Sequence, residues 1–486
     1  MFVNVRKLTN YIFVFFIAFL LPFGLMAQKT LKISSICVFD AADSSIFSQK
    51  KVNRRFSEKN VNSYIEKKIQ FFADNGYPFA KILLDSVRIE NFRIKYYYKL
   101  EKNKFYIVEN IFLPSENQIF SMPICDEIGI FKNTPFCYSK IKNISNVLSY
   151  SELYSQTSSP STEYHSTGAD VFLYLKKKHA NYVSGLISID YDQKKGEYFP
   201  SGNMCLNLKN NIGHGEKFYF LWKGYSHGCQ NLVVDIVYPY IFKTFATACF
   251  SVDYVKTDRV ALNTNLVGGF DFRICSGFSV GFYFKRKKLM PADTIGNIYK
   301  VSSLFYGASF KQKILLEKFL TNFCATFYLG NRKTALEKKS TFCSELSLVG
   351  KLPVYNKFSI DFNYNSQLDF CESEFNYYEK NTFGGALSLR GFDENYFRAD
   401  CYATMQNNLR FQTAENINFF LFYDFGCYSL KINDLKVNDC PMSFGLGVGF
   451  VANEFYADIS WAAAREFNKF LPLQNSKINL SLRLIF

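Results

Sequence analysis

From about residue 182 to the end, the chain is written in short runs that alternate apolar and polar side chains. Val183, Ile187, Ile189 and Tyr191 alternate with Ser184, Ser188 and Asp190. At the other end Ile478, Leu480, Leu482, Leu484 and Phe486 alternate with Asn479, Ser481 and Arg483. A period of two places every apolar side chain on one face of a strand. Each run can reach the ~9–11 residues of a tilted membrane strand. Together these features predict a transmembrane β-barrel of about sixteen strands, from near Tyr182 to Phe486. Connections alternate in length, as an up-and-down barrel requires. Asn211–Gly215, Pro239–Phe242, Leu352–Asn356, Gln412–Asn416 and Ala452–Glu454 read as short turns on one rim. Cys371–Arg398 reads as a long loop on the other.

The first part of the chain has a different rhythm. Residues 60–75 place Val61, Tyr64, Ile65, Ile69 and Phe72 on one helical face, stopped by Asn75-Gly76 with Pro78 beyond. Two strand-like runs follow, Ala80–Ile89 and Phe92–Leu100. The order then recurs: a strand at Tyr106–Leu113, Thr134-Pro135, a helix around Ser139–Leu153, a Ser/Thr-rich loop at Ser158–Thr167 and a strand at Ala169–Leu175. Two consecutive α+β modules are expected, over residues 28–103 (partly degenerate) and 104–178, ahead of a barrel over 180–486.

Composition supports membrane β structure. The chain has 486 residues, 18% of them aromatic, with 54 Phe and 33 Tyr, residues that favour strands and membrane interfaces. Arg6 and Lys7 precede an apolar run from Tyr11 to Leu21, and Ala27 precedes Gln28, so residues 1–27 read as a secretory signal peptide. No later stretch approaches the ~20 apolar residues of a membrane helix, which leaves a barrel as the spanning form. The net charge of +15 is spread thinly, and an exported chain without a reader motif is not expected to bind nucleic acid. Thirteen cysteines without a C-x-x-C pattern read as small hydrophobes.

Strings that mimic active sites lack the right surroundings. Gly277-Phe278-Ser279-Val280-Gly281 fits G-x-S-x-G, yet Phe282-Tyr283-Phe284 continues a strand where a nucleophile elbow needs a helix. Gly445, Gly447 and Gly449 are not followed by the helix of a dinucleotide site. His165, His179, His214 and His227 have no metal-ligand spacing, and Glu216 reads as a structural acid. The expectation is a non-enzyme with no metal and no cofactor.

The most informative segment is Gly384-Gly385-Ala386-Leu387-Ser388-Leu389-Arg390-Gly391-Phe392, which sets one arginine among apolar and glycine neighbours in the longest late loop. An enclosed guanidinium needs a carboxylate or several acceptors, because desolvating an unpaired charge is costly. Leu389-Arg390-Gly391-Phe392 resembles the loop motif of the BamA/TamA outer-membrane assembly superfamily, shared by two-partner secretion transporters. Asn210 to Glu216, Tyr238-Pro239, Asn408 to Phe411, Tyr423-Asp424-Phe425-Gly426 and Ser443 to Phe450 are similar to further family landmarks, in order. Asn75-Gly76-Tyr77-Pro78 resembles a turn of the POTRA module.

By that resemblance the loop folds into the lumen, where Arg390 pairs with Asp424 beside Gly426. Leu480, Leu482, Leu484 and Phe486 form a C-terminal signal read by assembly machinery. First and last strands meet at a weak seam involving Val183, Gly185, Ile187 and Leu482. The implied protein lies in the outer membrane of a Gram-negative bacterium with POTRA modules in the periplasm. Its partners are the lipid bilayer, accessory assembly subunits, and unfolded or partly folded β-rich outer-membrane or secreted clients. It inserts, assembles or translocates those clients through POTRA capture and the seam. A dedicated two-partner secretion transporter stays open within the same family, and a passive porin or adhesin outside it.

Overall fold

The computed structural model describes residues 32–40, 46–55, 58–91, 93–113, 121–151, 153–178, 180–192, 197–225, 229–257, 260–275, 277–291, 299–316, 319–355, 357–414, 416–432, 435–452, 454–466 and 476–486. The signal-peptide expectation, His179 and His227 lie outside them. Among the described residues no helix is long and apolar enough to cross a membrane.

The first module contains β1 (Lys32–Asp40), β2 (Ile46–Arg55), α1 (Glu58–Asp74), β3 (Lys81–Glu90) and β4 (Arg93–Glu101). Its sheet runs β2-β1-β4-β3, with β1 parallel to β4. Val61, Ile65 and Phe72 on one face of α1 pack against Ile36, Val38, Ile82 and Leu100 of the sheet. The helix ends where Gly76 takes a φ of +90°.

The second module contains β5 (Val108–Phe112), α2 (Ser121–Ile128), α3 (Tyr138–Ser149), β6 (Tyr154–Tyr164) and β7 (Ala169–Lys177), with sheet order β5-β7-β6. Two expectations change here. The Ser/Thr-rich stretch 158–167 is strand through Tyr164, because an edge strand with one wet face tolerates alternating Ser and Thr. Helix α2 carries Pro123 in its first turn, where a missing N–H costs nothing, and has too few residues to display a period. Cys125 on α2 is buried, and burial pushes its thiol up to about 11, consistent with an inert apolar filler.

The chain forms two compact units, and the second of them joins residues 113–129 and 144–160 to the barrel. The barrel is a closed ring of sixteen strands, as the alternation predicts. It starts with β8 (Tyr182–Asp192), β9 (Glu197–Lys209), β10 (Lys217–Tyr225), β11 (Cys229–Tyr238), β12 (Ala246–Thr257) and β13 (Ala261–Cys275). It continues with β14 (Phe278–Pro291), β15 (Val301–Leu316), β16 (Phe319–Lys333), β17 (Lys338–Tyr355) and β18 (Phe358–Cys371). After β18, β19 (Asn381–Phe383) and β20 (Phe397–Ala399) pair with each other inside the long loop. The wall resumes with β21 (Cys401–Ala414) and β22 (Ile417–Ile432). Next, β23 (Leu435–Asp439) and β24 (Met442–Ala452) make one wall strand interrupted at Cys440-Pro441, and β25 (Phe455–Arg465) and β26 (Lys477–Ile485) close the ring.

Alternation sorts the wall into two faces. On β22, Phe419, Leu421, Tyr423 and Phe425 are exposed outward, while Phe420, Phe422 and Asp424 are buried inward. The turns of the near rim, where β8 begins and β26 ends, are shorter than expected in places: β17 runs to Tyr355 and β18 starts at Phe358, so Leu352–Tyr355 are strand. Those turns also hold the second module's segments. The Tyr240 hydroxyl donates to Asp126 Oδ2 of α2 at 2.6 Å, Arg273 pairs with the same carboxylate, and Asn210 Nδ2 donates to the Tyr154 hydroxyl at 3.2 Å. Glu216 accepts from the backbone N–H groups of Ile212 (2.5 Å) and His214 (3.1 Å), so it braces its turn.

Candidate functional site: the lumen loop and the seam

The loop between β18 and β21 turns inward from the far rim. A 3-10 turn at Tyr377–Glu379 opens it, with the Asn376 side chain and Glu379 forming a reciprocal cap. Phe383, Leu389, Phe397 and Ala399 bury themselves in a small core with Phe392, Tyr402 and Tyr428, and Phe383 stacks on Tyr402 at 4.7 Å between ring centres. The Lys380 ammonium, 2.7 Å from Asp400 Oδ1, ties the two limbs together.

Beyond this core the chain carries Arg390 to the wall. Its Nη2 donates to Asp424 Oδ1 at 2.5 Å and its Nε to Oδ2 at 2.7 Å, while its backbone N–H reaches Oδ2 at 3.2 Å. The remaining Nη1 donates to Asn408 Oδ1 at 2.7 Å, and the guanidinium lies 3.7 Å from the centre of the Phe422 ring. Asp424 is 0% exposed, so this charge is held entirely by its donors. Two glycines make the approach possible. Gly391 has φ +90° and a Cβ there would stand 2.7 Å from Ala464 Cβ; a Cβ on Gly426 would stand 2.7 Å from Leu389 Cδ1.

The loop is also fastened to other walls, which the sequence reading missed. Arg332 of β16 grips Glu379 with Nε and Nη2, each at 2.8 Å, and Asn263 of β13 donates to the Tyr378 carbonyl. Lys223 of β10 pairs with Glu394 at 2.8 Å, and Lys477 of β26 pairs with Asp393. Because β13 and β16 lie across the ring from β26, the loop is strung through the lumen rather than resting on one wall. These pairs join residues far apart in sequence, and no local period marks them.

The seam is the ring's thinnest joint. β26 and β8 share two ladder pairs, Leu484↔Val183 and Ile485↔Tyr182, with a flanking bond from Phe486 N–H to the Asn181 carbonyl at 3.0 Å. Of the residues expected there, Val183 takes part. Leu482 does not: it pairs with Ala457 of β25 and its side chain faces outward, because its parity on β26 matches the exposed Ile478 and Leu480. Gly185 lies above the paired stretch, and a Cβ on it would meet the Asn203 carbonyl of β9, so its close approach is to β9. Ile187 pairs through its backbone with Gly202 of β9; its side chain is outside the described set. Leu484 and Ile485 are the β26 residues in the ladder across the seam. At the terminus Leu480, Leu482 and Phe486 expose their side chains.

A disulfide joins Cys427 to Cys440 at the base of the β22–β23 hairpin. This pair departs from the expectation that the cysteines are apolar fillers. The cross-strand pairing β22 makes with β23 and β24 brings residues 427 and 440 together around the break at Pro441. Among the described residues no group of three His, Cys, Asp or Glu could hold a metal ion.

No protein-family model matches the sequence, and no curated protein matches it. Among solved structures the chain is similar to CdiB from Acinetobacter baumannii (13% identity, TM-score 0.55) and to CdiB from Escherichia coli (12% identity, TM-score 0.56). Each alignment covers 95% of this chain and 92% of the other. BamA from Haemophilus ducreyi lacking POTRA domains 1–3 aligns over 89% of this chain and 94% of its own at 13% identity, with a TM-score of 0.43, too loose to carry weight. The fold is that of the CdiB barrels.

Proposed function

We propose that this chain is a Gram-negative outer-membrane protein that assembles or translocates β-rich client proteins. The observation that carries the reading is the pairing of a strung lumen loop with a ring closed by two ladder pairs. A passive pore needs neither; a loop across the lumen obstructs free diffusion, and a thin joint weakens a wall that could be closed along its length. The likeness to CdiB in fold supports the same direction.

In this reading residues 28–103 and 104–178 are periplasmic POTRA modules. Their strand edges offer unpaired backbone groups to an extended client. Strand β3 is such an edge, and it exposes Leu83, Leu84, Val87 and Ile89. The Arg390–Asp424 pair positions the loop, and β8 and β26 are the edges that part. No nucleotide is invoked; client folding supplies the free energy. Depletion of the protein tests the proposal through the outer-membrane and secreted proteomes. Broad loss of barrels identifies assembly, loss of one exoprotein identifies translocation, and unchanged proteomes sink the proposal.

A further inference from the structure

The two consecutive acids after the arginine motif, Asp393 and Glu394, reach opposite sides of the seam. Asp393 pairs with Lys477, the first residue of β26, and Glu394 pairs with Lys223 of β10. Between those two strands the ring contains only β8 and β9. The contacts lie at the far-rim end of the wall, since β26 descends from Lys477 to Ile485 and β10 climbs from Lys217 to Tyr225. The seam's ladder, in contrast, sits at the near rim, at Leu484 and Ile485. Between Lys477 and Arg483, β26 has no ladder partner on its seam side among the described residues. The acids therefore bridge the stretch that backbone hydrogen bonds leave unpaired.

We infer that Asp393 and Glu394 form an internal latch that holds the seam closed from within the lumen. The Glu394 end is built into the loop. Its carboxylate lies where a Cβ on Gly385 would stand, Gly385 itself takes a φ of +92°, and Glu394 Oε1 accepts from the Ala386 N–H at 3.2 Å. Lys223 and Glu394 are 14% and 30% exposed, a half-buried pair. Asp393 is 73% exposed, which makes the β26 side the weaker and more salt-sensitive half. The latch thus couples the loop to the seam: a loop displaced by a passing segment releases both strands at once. This inference rests on the reading of the seam as the part that opens.

The test uses the full chain in lipid nanodiscs without a client, and hydrogen exchange at the seam. The reporter is the Phe486 amide, whose seam bond to Asn181 is lost on opening. Replacing both acids (Asp393→Asn with Glu394→Gln) should speed exchange in the 478–486 peptide by about threefold to tenfold. Peptides of β16 and β17 should be unaffected. Exchanging the charges of the inner pair (Glu394→Lys with Lys223→Glu) should restore slow exchange relative to Glu394→Lys alone. The Arg390 amide, bonded to Asp424, reports whether the loop itself stays docked. Should the loop detach in the acid variant, the wall-side variant Lys223→Gln with Lys477→Gln replaces it. Seam exchange at the wild-type rate in these variants overturns the latch. A working latch with unchanged proteomes on depletion retires the proposed function and leaves the latch standing.

Discussion

Two joints in the same ring differ sharply. β16 and β17 meet through fourteen ladder pairs, Leu320↔Lys351 to Lys333↔Lys338, whereas β26 and β8 meet through two. Cross-strand pairs contribute roughly 0.2–1 kcal/mol each, so the seam is weaker by several kcal/mol from ladder pairing alone. The same loop touches both regions, at Arg332 on β16 and at Lys477 on β26. The comparison teaches that the strong wall serves as an abutment. A loop fixed there and at Asp424 can reinforce the weak joint without adding a single backbone bond to it.

The largest predicted effect comes from cutting the middle support. Asp424→Ala leaves the Arg390 guanidinium enclosed without its carboxylate and should cost about 3–5 kcal/mol. The measurement is the temperature at which the folded barrel loses its fast gel mobility. Asp424→Asn keeps the shape and one acceptor and should lose less. A wild-type transition for Asp424→Ala means the support bears nothing, and the abutment argument collapses.

Next is the hairpin on the far rim. Removing its cross-link with Cys427→Ser and Cys440→Ser should cost about 2–3 kcal/mol by the loop-entropy argument. Among the described residues β23 pairs with the end of β22, so faster exchange should stay within Tyr428–Asp439. Spread of that loss to the seam would show that the two regions are not separable.

Gly391→Ala probes fit instead of charge. The φ of +90° and the Ala464 methyl together predict a loss of about 1–3 kcal/mol. Exchange should rise at the Arg390 amide first. A variant as well docked as the parent would mean that the loop is free to shift, and the strung geometry would need revision.

The sequence made half of this comparison legible. Period-two alternation depends only on neighbours, so the barrel, its inward and outward faces and the isolated Arg390 are visible in one pass along Val183 to Phe486. The rest was hidden for a physical reason. Glu379 finds Arg332 from 47 positions away and Asp393 finds Lys477 from 84, so ring closure, not spacing, creates those pairs. Likewise the seam residue could not be read by hydropathy. Leu482 and Leu484 carry the same side chain and parity, and only the register of β26 against β8 decides that Leu484 crosses. The β6 strand failed for the opposite cause: its Ser and Thr carry a turn composition on a sheet edge.

The smallest expected effect on the barrel is the most selective test of the comparison. Among the described residues β3 in the first module is, like the seam, a strand with one side unpaired and no latch, and it displays Leu84 and Val87 openly. Charges on an edge discourage pairing with another strand. Leu84→Lys with Val87→Lys should therefore leave the barrel's unfolding within about 0.5 kcal/mol, as exposed substitutions do. The same cells should show the client loss that the proposed function expects on depletion. If the edge is only a surface, the proteome will match that of the parent strain. The seam would then be left as the proposed opening for clients, and the latch as its proposed control.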